Sequence, residues 1–76
     1  MEKIQKAITE RVTAMRRSKG DKQVDLAAIL DVDRSFIGKI ESFRKTYNIT
    51  HLNKIALHYG CDLYDLIPRK PVPDEE

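Results

Sequence analysis

Hydrophobic residues recur along this chain in short helical stripes separated by polar breaks. From about Lys3 to Ser18, Ile4, Ile8, Val12 and Met15 stand at i, i+4, i+8 and i+11. At ~100° per residue they fall within about 80° of one another, one face of a helix. Gly20 stops this segment, just past a basic last turn of Arg16, Arg17 and Lys19 that suits the negative end of the helix dipole. A shorter helix is predicted from about Lys22 to Leu30, with Leu26, Ala27 and Leu30 inward and Asp21 as a candidate N-cap. Val24 and Ile29 lie off that stripe and are assigned to a surface or an interface. Asp31-Val32-Asp33 breaks the pattern, and Asp33 is suited to cap a third helix from about Arg34 to Ser42. After a polar connection at 43–48 that holds Phe43 and Tyr47, Asn48 is placed to cap a fourth helix. That helix runs to about Tyr59, with Ile49, Leu52, Ile55, Ala56 and Tyr59 on one stripe, and Gly60 ends it. Asp62 and Asp65 resemble a capping pair for a last short helix holding Leu63, Leu66 and Ile67. Pro68, Pro71 and Pro73 cannot continue a helix. The expectation is one domain over residues 1–67 and a flexible acidic tail over 68–76.

The third helix has two unlike faces. With Arg34 at 0°, Phe36, Ile37 and Ile40 cluster between about 200° and 300°, and Arg34, Ser35, Gly38 and Lys39 occupy roughly 0° to 140°. Two short helices joined by a tight break, the second oily inside and polar outside, follow the helix-turn-helix plan. The major groove of B-DNA is about 12 Å wide and admits one α-helix. Residues near the start of that helix reach base edges, while the preceding helix lies across the backbone. Arg34 and Lys39 can donate to guanine O6 and N7, Arg34 through two parallel bonds, and Ser35 can donate or accept. Gly38 has no side chain and lets the backbone approach the groove floor. Gln23 opens the second helix, where free N–H groups favour an anion, and Lys22, Arg44 and Lys45 can add phosphate contacts that release counterions.

Composition narrows the alternatives. The chain has 76 residues, of which 41% are hydrophobic and 34% charged, so it can bury one modest core. Its three glycines, three prolines and lack of tryptophan point away from a turn-rich β domain and toward an all-α fold of five helices. One cysteine excludes an internal disulfide and a multi-cysteine zinc module. No apolar run approaches the ~18 residues of a membrane span. The chain is read as soluble and cytoplasmic, associated with the nucleoid if prokaryotic. The net charge of +2 says little, but residues 34–54 carry +4 and the last three residues −3. A basic middle suits a polyanion. His51, His58 and Cys61 do not make the three or four convergent ligands a metal needs. No nucleophile–base pair, phosphate-cradling loop or paired carboxylates stand out, so no catalysis, metal or cofactor is expected. Leu57, on the polar side of the fourth helix, with Tyr64 and Ile67, is a candidate dimer contact.

Read in order, Ile8-Thr9-Glu10-Arg11-Val12, Met15-Arg16, Gly20, Gln23, Leu26-Ala27, Leu30, Val32, Arg34-Ser35, Ile37, Ile40-Glu41, Leu52 and Lys54-Ile55-Ala56 resemble the phage-repressor/Cro-like (XRE) helix-turn-helix family. The resemblance spans about Ile8 to Ile67. Asp33-Arg34-Ser35-Phe36-Ile37 also resembles restriction–modification controller proteins of that family. The resemblance implies a five-helix repressor-like domain that binds double-stranded DNA as a homodimer on two half-sites and regulates transcription. It implies a phosphate contact from Gln23 and base contacts from Arg34, Ser35, Gly38 and Lys39. It also implies a structural ion pair between Arg16 and Glu41. The chain departs from the family where Lys22 replaces a usual Ser or Thr, where Asp21 replaces an apolar residue, and where Phe43 replaces the Gly or Asn that commonly ends the recognition helix. The competing reading is an adaptor or antitoxin-type module that uses the same fold to bind a protein through Val24, Ile29 and Leu57.

Overall fold

The computed structural model of the chain describes residues 1–74. Four α-helices form in chain order: α1 (Lys3–Ser18), α2 (Gln23–Leu30), α3 (Arg34–Glu41) and α4 (Ile49–Tyr59). The segment expected as a fifth helix is a single 3₁₀ turn at Leu63–Asp65. Asp62 caps this turn by accepting from the Tyr64 N–H at 3.0 Å, and Asp65 accepts from the Asp62 N–H at 2.8 Å. Both carboxylates are thus spent within one turn, and Pro68 follows too soon for a second.

Each apolar stripe feeds one core. Ile8 and Val12 of α1, Leu26, Ala27 and Leu30 of α2, Ile37 and Ile40 of α3, and Leu52, Ile55 and Ala56 of α4 are buried together with Tyr47 and Leu66. Ile4, Met15, Phe36 and Tyr59 are half-buried against its edge. The helix-turn-helix pair α2 and α3 shares the most extensive packing, with α4 against α2 and α1 against α3. Two apolar residues differ from expectation. Ile49 is 64% exposed, because it stands at the first position of α4, beyond the packed part of the stripe. Ile29 is half-buried against the core rather than on an open surface.

All four helices stop by passing through the left-handed region. Gly20 (φ 75°) and Gly60 (φ 67°) do so without steric cost, and Asp31 (φ 56°) is one of the residue types that tolerate it. Phe43 (φ 65°) is the unusual one. Its N–H donates to the Ile40 carbonyl at 2.9 Å, and the Arg44 N–H donates to the Lys39 carbonyl at 2.8 Å. This crossed pair normally surrounds a glycine or asparagine. Here a phenylalanine carries the same bonds, and the Lys6 ammonium lies 5.5 Å from its ring centroid.

The helix starts also differ in part from the sequence expectation. Asp21 does not cap α2. Lys22 holds the cap position without a side-chain bond to the helix, while Asp25 accepts from the Lys22 N–H at 2.7 Å. Asp21 instead accepts from the Tyr59 hydroxyl at 2.8 Å, linking the start of α2 to the end of α4. Asp33 stands at the cap position of α3 but makes no side-chain cap bond. Asn48 caps α4 as expected, accepting from the His51 N–H at 2.7 Å, and His51 Nδ1 accepts from the Asn48 N–H at 3.2 Å.

The segment from Pro68 to Asp74 returns to α1. Arg69 lies 4.3 Å from the Tyr64 ring centroid, and Asp74 accepts from the Lys3 N–H at 2.9 Å, at a helix start that has no acid in its first turn. Glu75 and Glu76, the rest of the acidic tail, lie outside the described residues. No helix among the described residues is long and apolar enough to cross a membrane.

Burial holds the His51 pKa below its ordinary value, with Lys54 adding to the effect. A histidine with a lowered folded-state pKa binds fewer protons than the unfolded chain. Its contribution to stability is therefore whole above the unfolded value near 6.5 and is lost as pH falls through the lower folded value. Protonated His51 also loses Nδ1 as the acceptor for Asn48. The melting temperature of the wild type is expected to fall more steeply than that of His51→Gln when both are compared from pH 7.5 down to pH 5. Parallel curves would show that His51 carries none of the acid sensitivity.

Candidate nucleic-acid interface

The site rests on a fixed junction between α1, α2 and α3. Arg16 donates to both oxygens of Glu41, from Nε to Oε2 at 2.8 Å and from Nη2 to Oε1 at 3.0 Å. Its Nη1 donates to the Asp21 carbonyl at 2.8 Å. The two side chains retain 9% and 8% exposure, so this ion pair is largely withdrawn from water. The hydrogen bond to Glu41 raises the Arg16 pKa above its ordinary value despite the opposing effect of burial. A third side chain joins them, since Gln23 Nε2 donates to Glu41 Oε1 at 2.9 Å. The first residue of α2 is thereby tied to the last residue of α3.

This clamp presents the outer face of α3. Arg34, Ser35 and Lys39 are exposed, and Gly38 is half-covered among them. The inner face is packed: Ile37 and Ile40 are wholly buried, and the Phe36 ring meets His51 edge-on at 5.7 Å between centroids. The Lys45 ammonium stands 5.9 Å from the centroid of the Phe36 ring. Ser35, Phe36, Lys39 and Lys45 line a shallow cleft of about 390 Å³ with Val32 and Asp33. Arg44 is exposed, and its Nε donates to Ser42 Oγ at 3.1 Å. Lys22 is exposed and precedes half-buried Gln23 in the chain. Three of the expected base-reading residues are therefore open to solvent, with Lys45 beside Ser35 and Lys39.

The three candidate dimer residues are less alike. Leu57 is 76% exposed and Tyr64 51% exposed. Ile67 is half-buried against the core and has less surface to offer a partner. Among the described residues, no group of three or more His, Cys, Asp or Glu side chains could hold a metal ion. Sequence reasoning missed the Gln23–Glu41 bond and the Tyr59–Asp21 bond. Nothing in residue spacing signalled the second. The first had one clue, the resemblance-based placing of Gln23 and Glu41 in adjoining helices.

Comparison with known proteins agrees with this fold. The chain has the fold of a hypothetical transcription factor from Neisseria, with a TM-score of 0.73 and 23% identity over 84% of this chain and 74% of that one. It is similar in the same way to the restriction–modification controller protein C.AhdI from Aeromonas hydrophila, with a TM-score of 0.70 and 24% identity over 80% of this chain and 92% of that one. No curated protein matches the chain. A helix-turn-helix family model matches residues 12–66, which include every element of the clamp and the exposed face of α3. The chain thus belongs to the helix-turn-helix family of the XRE/Cro-like type, a DNA-binding and non-enzymatic family.

Proposed function

We propose that the protein is a sequence-specific regulator of transcription that binds duplex DNA as a homodimer, with α3 in the major groove and α2 across the backbone. The observation that carries this reading is the exposed Arg34–Ser35–Gly38–Lys39 face, set on a helix whose other side is buried. Arg34 is assigned two bonds to a guanine, and Lys39 and Ser35 read neighbouring base edges. Lys22, Arg44 and Lys45 contact phosphate, as does the Gln23 amide through the N–H that Glu41 leaves over. Two copies would meet through Leu57, Tyr64 and the exposed part of Ile67, and would read half-sites about 34 Å apart. The likeness of residues 33–37 to controller proteins, beside the fold shared with one of them, favours a regulator of that kind.

Selection of bound sequences from random duplex DNA tests this reading. A motif with two-fold symmetry is expected. An asymmetric single site would remove the dimer, and no enrichment, with no binding to bulk duplex at low salt, would favour the protein-binding adaptor. Lys45→Ala is expected to weaken all DNA sequences alike and to reduce the slope of log K against log salt by about 1. Titrations at several salt concentrations check this, and a change in base preference would move Lys45 from the phosphates to the bases.

A further inference from the structure

Gly38 is not required by the backbone or by the core. It sits in the middle of α3 with no positive φ. A Cβ built on it would meet one atom within 4 Å, Gln23 Oε1, at 3.9 Å, an ordinary contact. A glycine inside a helix is unfavourable relative to alanine, because it loses more backbone freedom on folding. What this glycine leaves is an open place on the outer face of α3, with the end of the Gln23 side chain beside it.

The polarity of that side chain is set by its partner. A carboxylate bound by a guanidinium accepts hydrogen bonds, and the Gln23 atom 2.9 Å from Glu41 Oε1 is the amide nitrogen. The carbonyl oxygen Oε1 is therefore the atom left beside Gly38. It is an acceptor, on a surface where Arg34 and Lys39 are donors only. The donors that bases present in the major groove are cytosine N4–H and adenine N6–H.

We propose that Gln23, from α2, reads the exocyclic amino group of an adenine or cytosine at the base pair facing Gly38. Glu41 is the positioning residue that turns the amide oxygen toward it. This rests on α3 entering the major groove. It adds to the phosphate contact of Gln23 a base contact that α3 cannot make at a position without a side chain.

The test is selection from random duplex DNA with the wild type and with Gln23→Met, which keeps length and removes the acceptor. The wild type is expected to restrict one position per half-site to a base with an amino group on the read strand. Gln23→Met should lose roughly threefold to tenfold discrimination there and keep the guanine preference assigned to Arg34. Glu41→Gln, which also weakens the ion pair with Arg16 and so lowers the melting temperature, should blur the same position and no other, whereas a purely structural role would lower the melting temperature and leave the preferences unmoved. A second measurement needs no variant. N6-methyladenine or N4-methylcytosine at that position should weaken wild-type binding by a similar factor. The proposal is overturned if Gln23→Met weakens every sequence equally with unchanged preferences, or if the methylated probes bind as the plain ones do. A wild type that enriches no motif would overturn the DNA reading itself.

Discussion

Glu41→Ala is expected to lower the unfolding free energy by about 3–5 kcal/mol, as removal of one partner from a buried ion pair does. The reason lies in what remains. Arg16 is buried, and two of its three bonded nitrogens lose their acceptor. Gln23 loses its tie as well, so α2 and α3 are no longer joined at that point. A domain of this size has about 5–15 kcal/mol in all, so the loss is a large share of its stability. Removing the charge together with its partner should do less harm. Arg16→Met combined with Glu41→Leu is expected to recover much of the loss, because the cost comes chiefly from the stranded guanidinium. Urea unfolding followed by circular dichroism measures both. A loss below about 1 kcal/mol for Glu41→Ala would mean that the pair behaves like an exposed one.

The second large effect is on recognition rather than stability. Arg34→Ala removes an exposed side chain with no bond that holds the fold, so its melting temperature should stay near that of the wild type. Its discrimination at one base pair per half-site is expected to fall by about 1–3 kcal/mol, the value of a two-bond arginine–guanine contact. Titration against selected duplexes that differ at single positions reads this directly. Unchanged preferences would take Arg34 out of the base-reading set.

Periodicity made the fold legible. Helical spacing turns Ile8 and Val12, Leu26 with Leu30, Ile37 with Ile40, and Leu52 with Ile55 inward, and each is buried. A stripe at helical spacing can bury only one face, so spacing alone settles that side. Helix edges were harder. Ile49 fits the stripe of α4 by angle but stands where the packing has ended, and angle carries no information on length. Sequence position suits Asp21 to a local cap, yet its partner is Tyr59, 38 residues away. The same limit applies to Lys3 and Asp74, 71 residues apart. At Phe43, the departure from the family pattern was visible, but not that the chain would keep the left-handed turn regardless.

The candidate site was legible in its outward residues and not in its geometry. Arg34, Ser35, Gly38 and Lys39 fall on one side of a helical wheel, and the structure places them there. Arg16 and Glu41 lie 25 residues apart, and only the family resemblance brought them together in the reading of the sequence. Gln23 completes their network, and the direction of its amide depends on a carboxylate from another helix. No local pattern encodes that direction.

The most direct test of the account is an NMR titration of the labelled protein with duplex DNA at low salt, following every backbone amide. Large shifts are expected at residues 34–39, with smaller ones at Lys22, Gln23, Arg44 and Lys45. An α3 face left unmoved at saturation, with the changes gathered elsewhere on the molecule, would contradict it.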